Sequence, residues 1–358
     1  MGVLSAIDAA SPAFERMRAM LFRPFRIKTW IKIGFIGWLA GVTASSGGNF
    51  NYRGGQWPGG HEMDDVWRKI HDAIQSIHIR EFIWIIVILA TIGLAIGILF
   101  VYLFSRFRFI LFDTVMSGNA DIGRGWHRYR DQAHRFFAFW LLYTLAVWAV
   151  FGAIIGIPLW HAYKAGVFHR DASISTIFAV FGPIFLGVLL AGIVVAIIGT
   201  FARDFLVPLM ALDNLGVDEA WSALLRMIGR EPLAWAGYLG MKVVFSIGAA
   251  IIFGIALVFI ALILAIPAVI LVLVGVLIAK SAGPAGIAIG IFLLVLFVLA
   301  MIVLWFLIVI FCSAPVVVFF QAYPLYFFGG RYAKLGELLW PSPPPIAPVF
   351  GAAPPPAV

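Results

Sequence analysis

Charged residues are scarce in this sequence: Asp, Glu, Lys and Arg make up 12% of 358 residues against 63% hydrophobic, and the mean hydropathy is +1.03. So little polar surface cannot cover a water-soluble globule of this length, so the chain must be solvated by lipid. Cysteine is nearly absent. Cys312 stands alone in an apolar run, which excludes an internal disulfide or a thiolate metal cluster within one chain and leaves a small apolar packing residue. Acidic residues, 17 in all, are outnumbered by 25 Lys and Arg, for a net charge of +8. Nucleic acid is one partner for such a balance. The basic residues, however, flank apolar runs and form no separate basic domain, so the partner expected is the lipid bilayer, with anionic phospholipids at its surface, and not nucleic acid. A cleavable signal peptide is not expected either, because residues 1–21 include Asp8 and Glu15 and lack a continuous apolar core.

Long apolar runs are what the sequence does have. A helix needs about 20 mainly apolar residues to cross the hydrocarbon core, and six windows approach or exceed that, at 30–45, 82–103, 136–159, 177–201, 233–265 and 287–312. The fold class expected is all-α: a polytopic membrane bundle of about six transmembrane helices in one membrane domain, 1–340, followed by a disordered Pro-rich tail, 341–358. The first window is short and holds Lys32, whose stem can snorkel. The fifth runs on through Pro267 to Ile278 without a charge, which suits one tilted helix followed by a kinked, partly re-entrant segment; a seventh crossing there would move the C-terminus across the membrane. In the six-span arrangement seventeen Lys and Arg fall on the side of the N-terminus and seven on the other. The positive-inside rule therefore places both termini in the cytoplasm.

The connections between windows repeat a pattern of amphipathic helix, short break, outward span, external loop and inward span, three times in parallel. Arg108, Asn119 and Trp126 stand 95 residues before Arg203, Asn214 and Trp221. Val217, Ala220, Trp221, Leu224, Leu225 and Ile228 follow the spacing of one helix face, opposite Asp218, Glu219, Ser222 and Arg226. Ile122, Trp126, Tyr129 and Ala133 form a similar stripe, and a fainter one joins Met17, Met20 and Leu21 after Ser11 and Pro12. Such helices are expected to lie in the cytoplasmic interface with their apolar faces toward acyl chains, Trp126 and Trp221 at headgroup depth, and Arg124, Arg128 and Arg130 contacting lipid headgroups.

The stretch RDFLVPLMALDNLGVDEAWSALLRMIGREPLAW, from Arg203 to Trp235, resembles the motif of bacterial multi-spanning families related to the membrane region attached to some glycerophosphodiester phosphodiesterases. Pro208, Asp213, Asn214, Gly216, Ala220, Arg226 and Trp235 carry the likeness, with fainter matches in LFRPFRIKTW and the second unit. The resemblance implies a helical fold and a bacterial cytoplasmic membrane setting. It does not imply the phosphodiesterase activity, because no stretch supplies the alternating strands and helices of that barrel.

Chemistry-bearing residues are few. Glycines in residues 46–60 have no preceding strand and no Gly-Lys-Ser ending, so a phosphate loop is not expected. His61, Glu62, Asp64, Asp65, His71 and His78 form an external polar cluster on an expected helix at 61–79, but His71 and His78 are two turns apart, about 10 Å, too far to share one ion unaided. No nucleophile stands beside a base in a readable motif, and no catalytic, cofactor or metal site is expected. Lys242, about nine positions into the fifth window, is the most informative residue. It belongs either to an intramembrane polar site with Asp204, Asp213 or Glu219 or to the headgroup layer as a snorkelling lysine. Three functions remain open: a membrane scaffold or lipid-interacting protein, a transporter of a small molecule, ion or lipid, and an intramembrane enzyme.

Overall fold

The computed structural model describes residues 4–42, 79–165, 167, 174–281 and 283–341, and every regular element among them is a helix. Two short helices open the chain, α1 (Ala10–Phe22) and α2 (Ile27–Leu39). Then come α3 (Ile79–Ser117), α4 (Ile122–Arg128), α5 (Arg130–Lys164) and α6 (Ile174–Phe201). Helix α6 passes through a π-type turn (Ala202–Leu206) into α7 (Val207–Asp213), followed by α8 (Val217–Arg230), α9 (Pro232–Ser281), α10 (Gly283–Gly329) and α11 (Ala333–Leu339).

Among the described residues five helices are long and apolar enough to cross a membrane: Ile83–Ser117, Arg130–Lys164, Phe178–Asp213, Pro232–Gly275 and Phe292–Gly329. The chain is accordingly a multi-pass helical membrane protein, since only a helix satisfies its own backbone throughout lipid. Each long helix has one end that packs into a shared core. The end of α3 buries Phe109, Leu111 and Phe112, the start of α5 Ala133 and Phe136, the π turn Phe205 and Leu206, the start of α9 Trp235 and Tyr238, and the end of α10 Tyr323, Phe327 and Phe328. Toward their other ends the same helices leave large apolar side chains exposed, as at Ile83 to Phe100 on α3, Phe178 to Ile197 on α6 and Val243 to Leu277 on α9. The packed ends alternate between the C-terminal and N-terminal halves of successive helices, so the chain runs up and down from one shared core.

The helices outrun their apolar windows. The window at 82–103 stops short of Arg106, yet α3 continues to Ser117, and 177–201 continues through Arg203 to Asp213. Those cations sit inside the packed end, where helix continuity costs less than a break. Helix α9 also runs unbroken through Pro267, in place of the kinked re-entrant segment expected there. The first window corresponds to α2, only 13 residues and so about 20 Å long against a hydrocarbon core of about 30 Å. Ile33 and Ile36 are fully buried. Glycine at 34 and 37 permits close approach to α10: a Cβ at Gly34 would strike the Ile310 carbonyl oxygen, and one at Gly37 the Val317 side chain. The expected helix at 61–79 falls outside the described residues except for its end at Ile79, as does the tail from 342.

Short helices complete the packed end. Ala13, Met17 and Leu21 of α1 are buried, one turn apart, against the core that includes α10. The start of the described chain meets the end of α10 there: Tyr323 Oη donates to the Ala6 carbonyl at 3.0 Å and Arg331 Nη1 to the Leu4 carbonyl at 2.9 Å. Helices α4 and α8 follow descending helices that end in left-handed residues, Gly118 (φ 73°) and Asn214 (φ 53°).

Candidate functional site

The most polar part of the core lies where the π turn meets α3 and α9. A π turn widens the helix and re-aims its side chains, and such turns recur at functional sites. Here it carries Arg203 and Asp204. Asp204, 4% exposed, accepts a hydrogen bond from Tyr238 Oη at 2.7 Å and pairs with Lys242, which stands one turn beyond Tyr238 on α9. Arg108, 3% exposed, holds its guanidinium 5.3 Å from the Phe104 ring centre and lies within electrostatic reach of Arg203, Asp204 and Tyr238. Arg203 donates through Nε to the Gly199 carbonyl at 2.9 Å. Three cations thus share a single carboxylate.

Beside this cluster is a partly open cavity of about 380 Å³, lined by Trp38, Phe100, Phe104, Trp140 and Arg203 among others. Two buried donors near it have no acceptor, Arg108 Nε and the indole N–H of Trp140. Buried donors are ordinarily paired. The site is therefore rich in donors and positive charge, poor in acceptors, and walled by aromatic rings.

Of the partners considered for Lys242, the structure brings Asp204 to it and not the other two. Asp213 instead accepts from Tyr332 Oη and pairs with Lys334, and Glu219 accepts from the Gly216 N–H at 2.9 Å at the start of α8. Burial and the Asp213 carboxylate push the Tyr332 hydroxyl pKa up.

The residues expected to touch lipid headgroups are partly engaged inside the protein. Arg124 bridges Asp113 at 2.9 Å and Arg128 bridges it at 3.4 Å, while their side chains remain 44% and 61% exposed. Asp113 in turn raises the Arg124 pKa through its hydrogen bond and charge, and burial together with Asp113 pushes the Tyr129 hydroxyl up to about 12. Arg130 is exposed at the start of α5. Trp126 lies under the Arg106 guanidinium at 4.8 Å, and Trp221 sits 6.2 Å from Phe139. Ala220 and Leu224 are fully buried in the shared core. This corrects the expectation that the apolar stripe of α8 turns toward acyl chains. A 3.6-residue stripe requires only an apolar cover, and here protein supplies much of it.

Sequence reasoning missed Asp113, Tyr238 and Trp140, and it read Arg108 and Arg203 as cytoplasmic charges and as matching positions of the repeat, not as site residues. A usable signal existed for the arginines, which occupy equivalent places 95 residues apart, just beyond the ends of two apolar windows. The external cluster from His61 to His78 lies outside the described residues. Among the described residues no three His, Cys, Asp or Glu side chains gather as metal ligands would.

No curated protein and no solved structure matches the chain. The comparisons give no link to the membrane region attached to glycerophosphodiester phosphodiesterases. A family model does match, over residues 4–338, nearly the whole of the described helical assembly, and its description is a family of unknown function, DUF7544. The chain therefore belongs to the DUF7544 family.

Proposed function

We propose that this chain is a lipid-interacting protein of the cytoplasmic membrane, whose packed end is seated in the cytoplasmic headgroup layer and retains acidic phospholipids there. The observation that carries the reading is that each long helix has a packed end and an exposed apolar arm, with cations gathered at the packed ends of α3, α5, α6 and α9 and just beyond that of α10. The arm of α3 from Ile83 to Phe100 is about 26 Å long, close to the about 30 Å of a bilayer's hydrocarbon core. Arg106, Arg108, Arg124, Arg128, Arg130 and Arg203 all lie beyond such arms, at the packed end. Lys and Arg favour the cytoplasmic face, and each one near an anionic surface contributes on the order of 1 kcal/mol before screening.

Six crossings fit this reading. The N-terminal arm starts at the packed end, and α3 returns to it from the far side. The chain must therefore cross once between α1 and α3. The two termini then share the cytoplasm. A parallel repeat is supported by the starts of α4 and α8 at Ile122 and Val217, each following a descending helix and preceding an ascending one. A transporter would need the buried cluster to face both sides in turn; the one-sided packed core favours the lipid-interacting reading.

Lipid extracted from protein purified out of native membranes in a mild non-ionic detergent tests this. The expected result is acidic phospholipid enriched above its share of the membrane. Retained lipid matching bulk composition would refute the reading, and reporter fusions at Met1 and Val358 placing the ends in opposite compartments would refute the six-crossing topology.

A further inference from the structure

The cluster of Arg108, Arg203, Lys242 and Asp204 has a property that packing alone does not explain. A core that only needed closing would pair its charges, yet here Asp204 pairs with Lys242 alone among the described residues, Arg108 and Arg203 stand nearby without an ion pair of their own, and Arg108 Nε and the Trp140 indole N–H end without acceptors. Away from water, unpaired donors and uncompensated charge are costly. Both costs are relieved by the same event, the arrival of an anion with several acceptor oxygens.

The adjoining cavity says what else that anion carries. Arg203 is one wall, and aromatic and aliphatic side chains, Trp38, Phe100, Val101, Phe104 and Trp140, make up most of the rest. Phe100 is half exposed, at the level where the apolar arms begin. The Arg108 guanidinium rests against the Phe104 ring, four residues past Phe100 on α3 and so about 6 Å along the axis, which puts it near the edge of the hydrocarbon, within reach of lipid phosphates. Inorganic phosphate would satisfy the donors but would gain nothing from the aromatic walls. A molecule with its charge at Arg203 and its chain passing out between Phe100 and Trp38 satisfies both.

We propose that this cavity is a specific site for one anionic phospholipid, its phosphate held by Arg203 and the Trp140 N–H with the charge of Arg108 behind the Phe104 wall, and its acyl chain lying along Trp38, Phe100 and Val101. Asp204 and Lys242 are positioning residues: their pair and the Tyr238 hydrogen bond fix the π turn that aims Arg203. The proposal rests on the lipid-interacting reading above and assigns it an address inside the protein, separate from the exposed Arg124, Arg128 and Arg130.

The test is native mass spectrometry of delipidated full-length protein titrated with phosphatidylglycerol or with phosphatidylcholine of identical acyl chains, and separately with inorganic phosphate. Wild-type protein should hold one phosphatidylglycerol more tightly than the rest and more tightly than phosphatidylcholine. Arg203→Gln should weaken that first binding event roughly tenfold, as expected for loss of a charge-assisted hydrogen bond. Trp140→Phe keeps an aromatic wall, though a smaller one, and removes one donor, and Val101→Trp fills the cavity while leaving every charge in place; both should weaken the same event several-fold. These two decide the matter if Arg203→Gln fails to fold. A wild-type preference for phosphatidylglycerol that survives in Trp140→Phe and Val101→Trp would overturn the internal site while leaving the lipid-interacting reading intact. No preference in the wild type would overturn both. Inorganic phosphate binding as tightly as phosphatidylglycerol, and lost in the same variants, would overturn the lipid assignment in favour of a free anion.

Discussion

Asp204 is the counter-charge for Lys242 directly and for Arg108 and Arg203 through their proximity, so the four residues are not equivalent in what their loss exposes. Replacing Asp204 with Asn leaves Lys242 without its partner and three neighbouring cations without a carboxylate, and breaking a buried pair this way costs about 3–5 kcal/mol. Replacing Lys242 with Met leaves Asp204 with the Tyr238 hydroxyl and two nearby guanidiniums, so the loss should be smaller, about 1–3 kcal/mol. Unfolding in detergent is expected to rank D204N below K242M, and both below wild type. The reverse order would mean that the arginines do not serve Asp204. Lys242 was legible in the sequence because a lone charge inside an apolar run is conspicuous. Its partner was not resolvable from Asp204, Asp213 and Glu219 by position, since all three lie near one edge, and only the π turn selects among them. Arg108 and Arg203 stood out as repeat positions but not as site residues, because hydropathy windows end at the first charge, whereas the helices do not.

At the scale of elements, the apolar stripes on the short helices were readable, but what covers them was not. Lipid and protein core ask for the same 3.6-residue periodicity, and only contacts distinguish them. On α8 the neighbours Leu224 and Leu225 separate the two covers: Leu224 is fully buried in the core and Leu225 is 58% exposed. Truncating Leu224 to Ala should destabilise the protein by about 2–5 kcal/mol through the cavity it leaves. The same change at Leu225 should cost about 0.5 kcal/mol or less. Thermal unfolding of the two variants in one detergent checks this, and equal losses would return α8 to a lipid-covered position. Helix α2 shows a related limit. Its length is too short for a span on its own, and the glycines that let it press against α10 at Ile310 and Val317 read in the sequence only as ordinary small residues of an apolar run.

For the whole molecule, a helical membrane protein was written plainly in composition, and the long helices lie where the apolar runs are. The division into a common packed end and largely exposed apolar arms was not visible, because hydropathy rises equally for side chains that face protein and side chains that face lipid. That division is also the central claim, since it sets the depth of Arg108 and Arg203 and hence the kind of molecule they can hold. Depth is directly measurable by spin labels. After replacing Cys312 with Ser, single cysteines at Ile92 on the arm of α3 and at Leu225 on α8, both more than half exposed, would be labelled in phosphatidylglycerol-containing nanodiscs and their collision rates with oxygen and with a water-soluble nickel chelate compared. The label at 92 should favour oxygen strongly, as in the hydrocarbon interior, and the label at 225 should favour nickel, as at the headgroups or beyond. Oxygen-dominated relaxation at both positions would place the packed end inside the hydrocarbon and contradict the account.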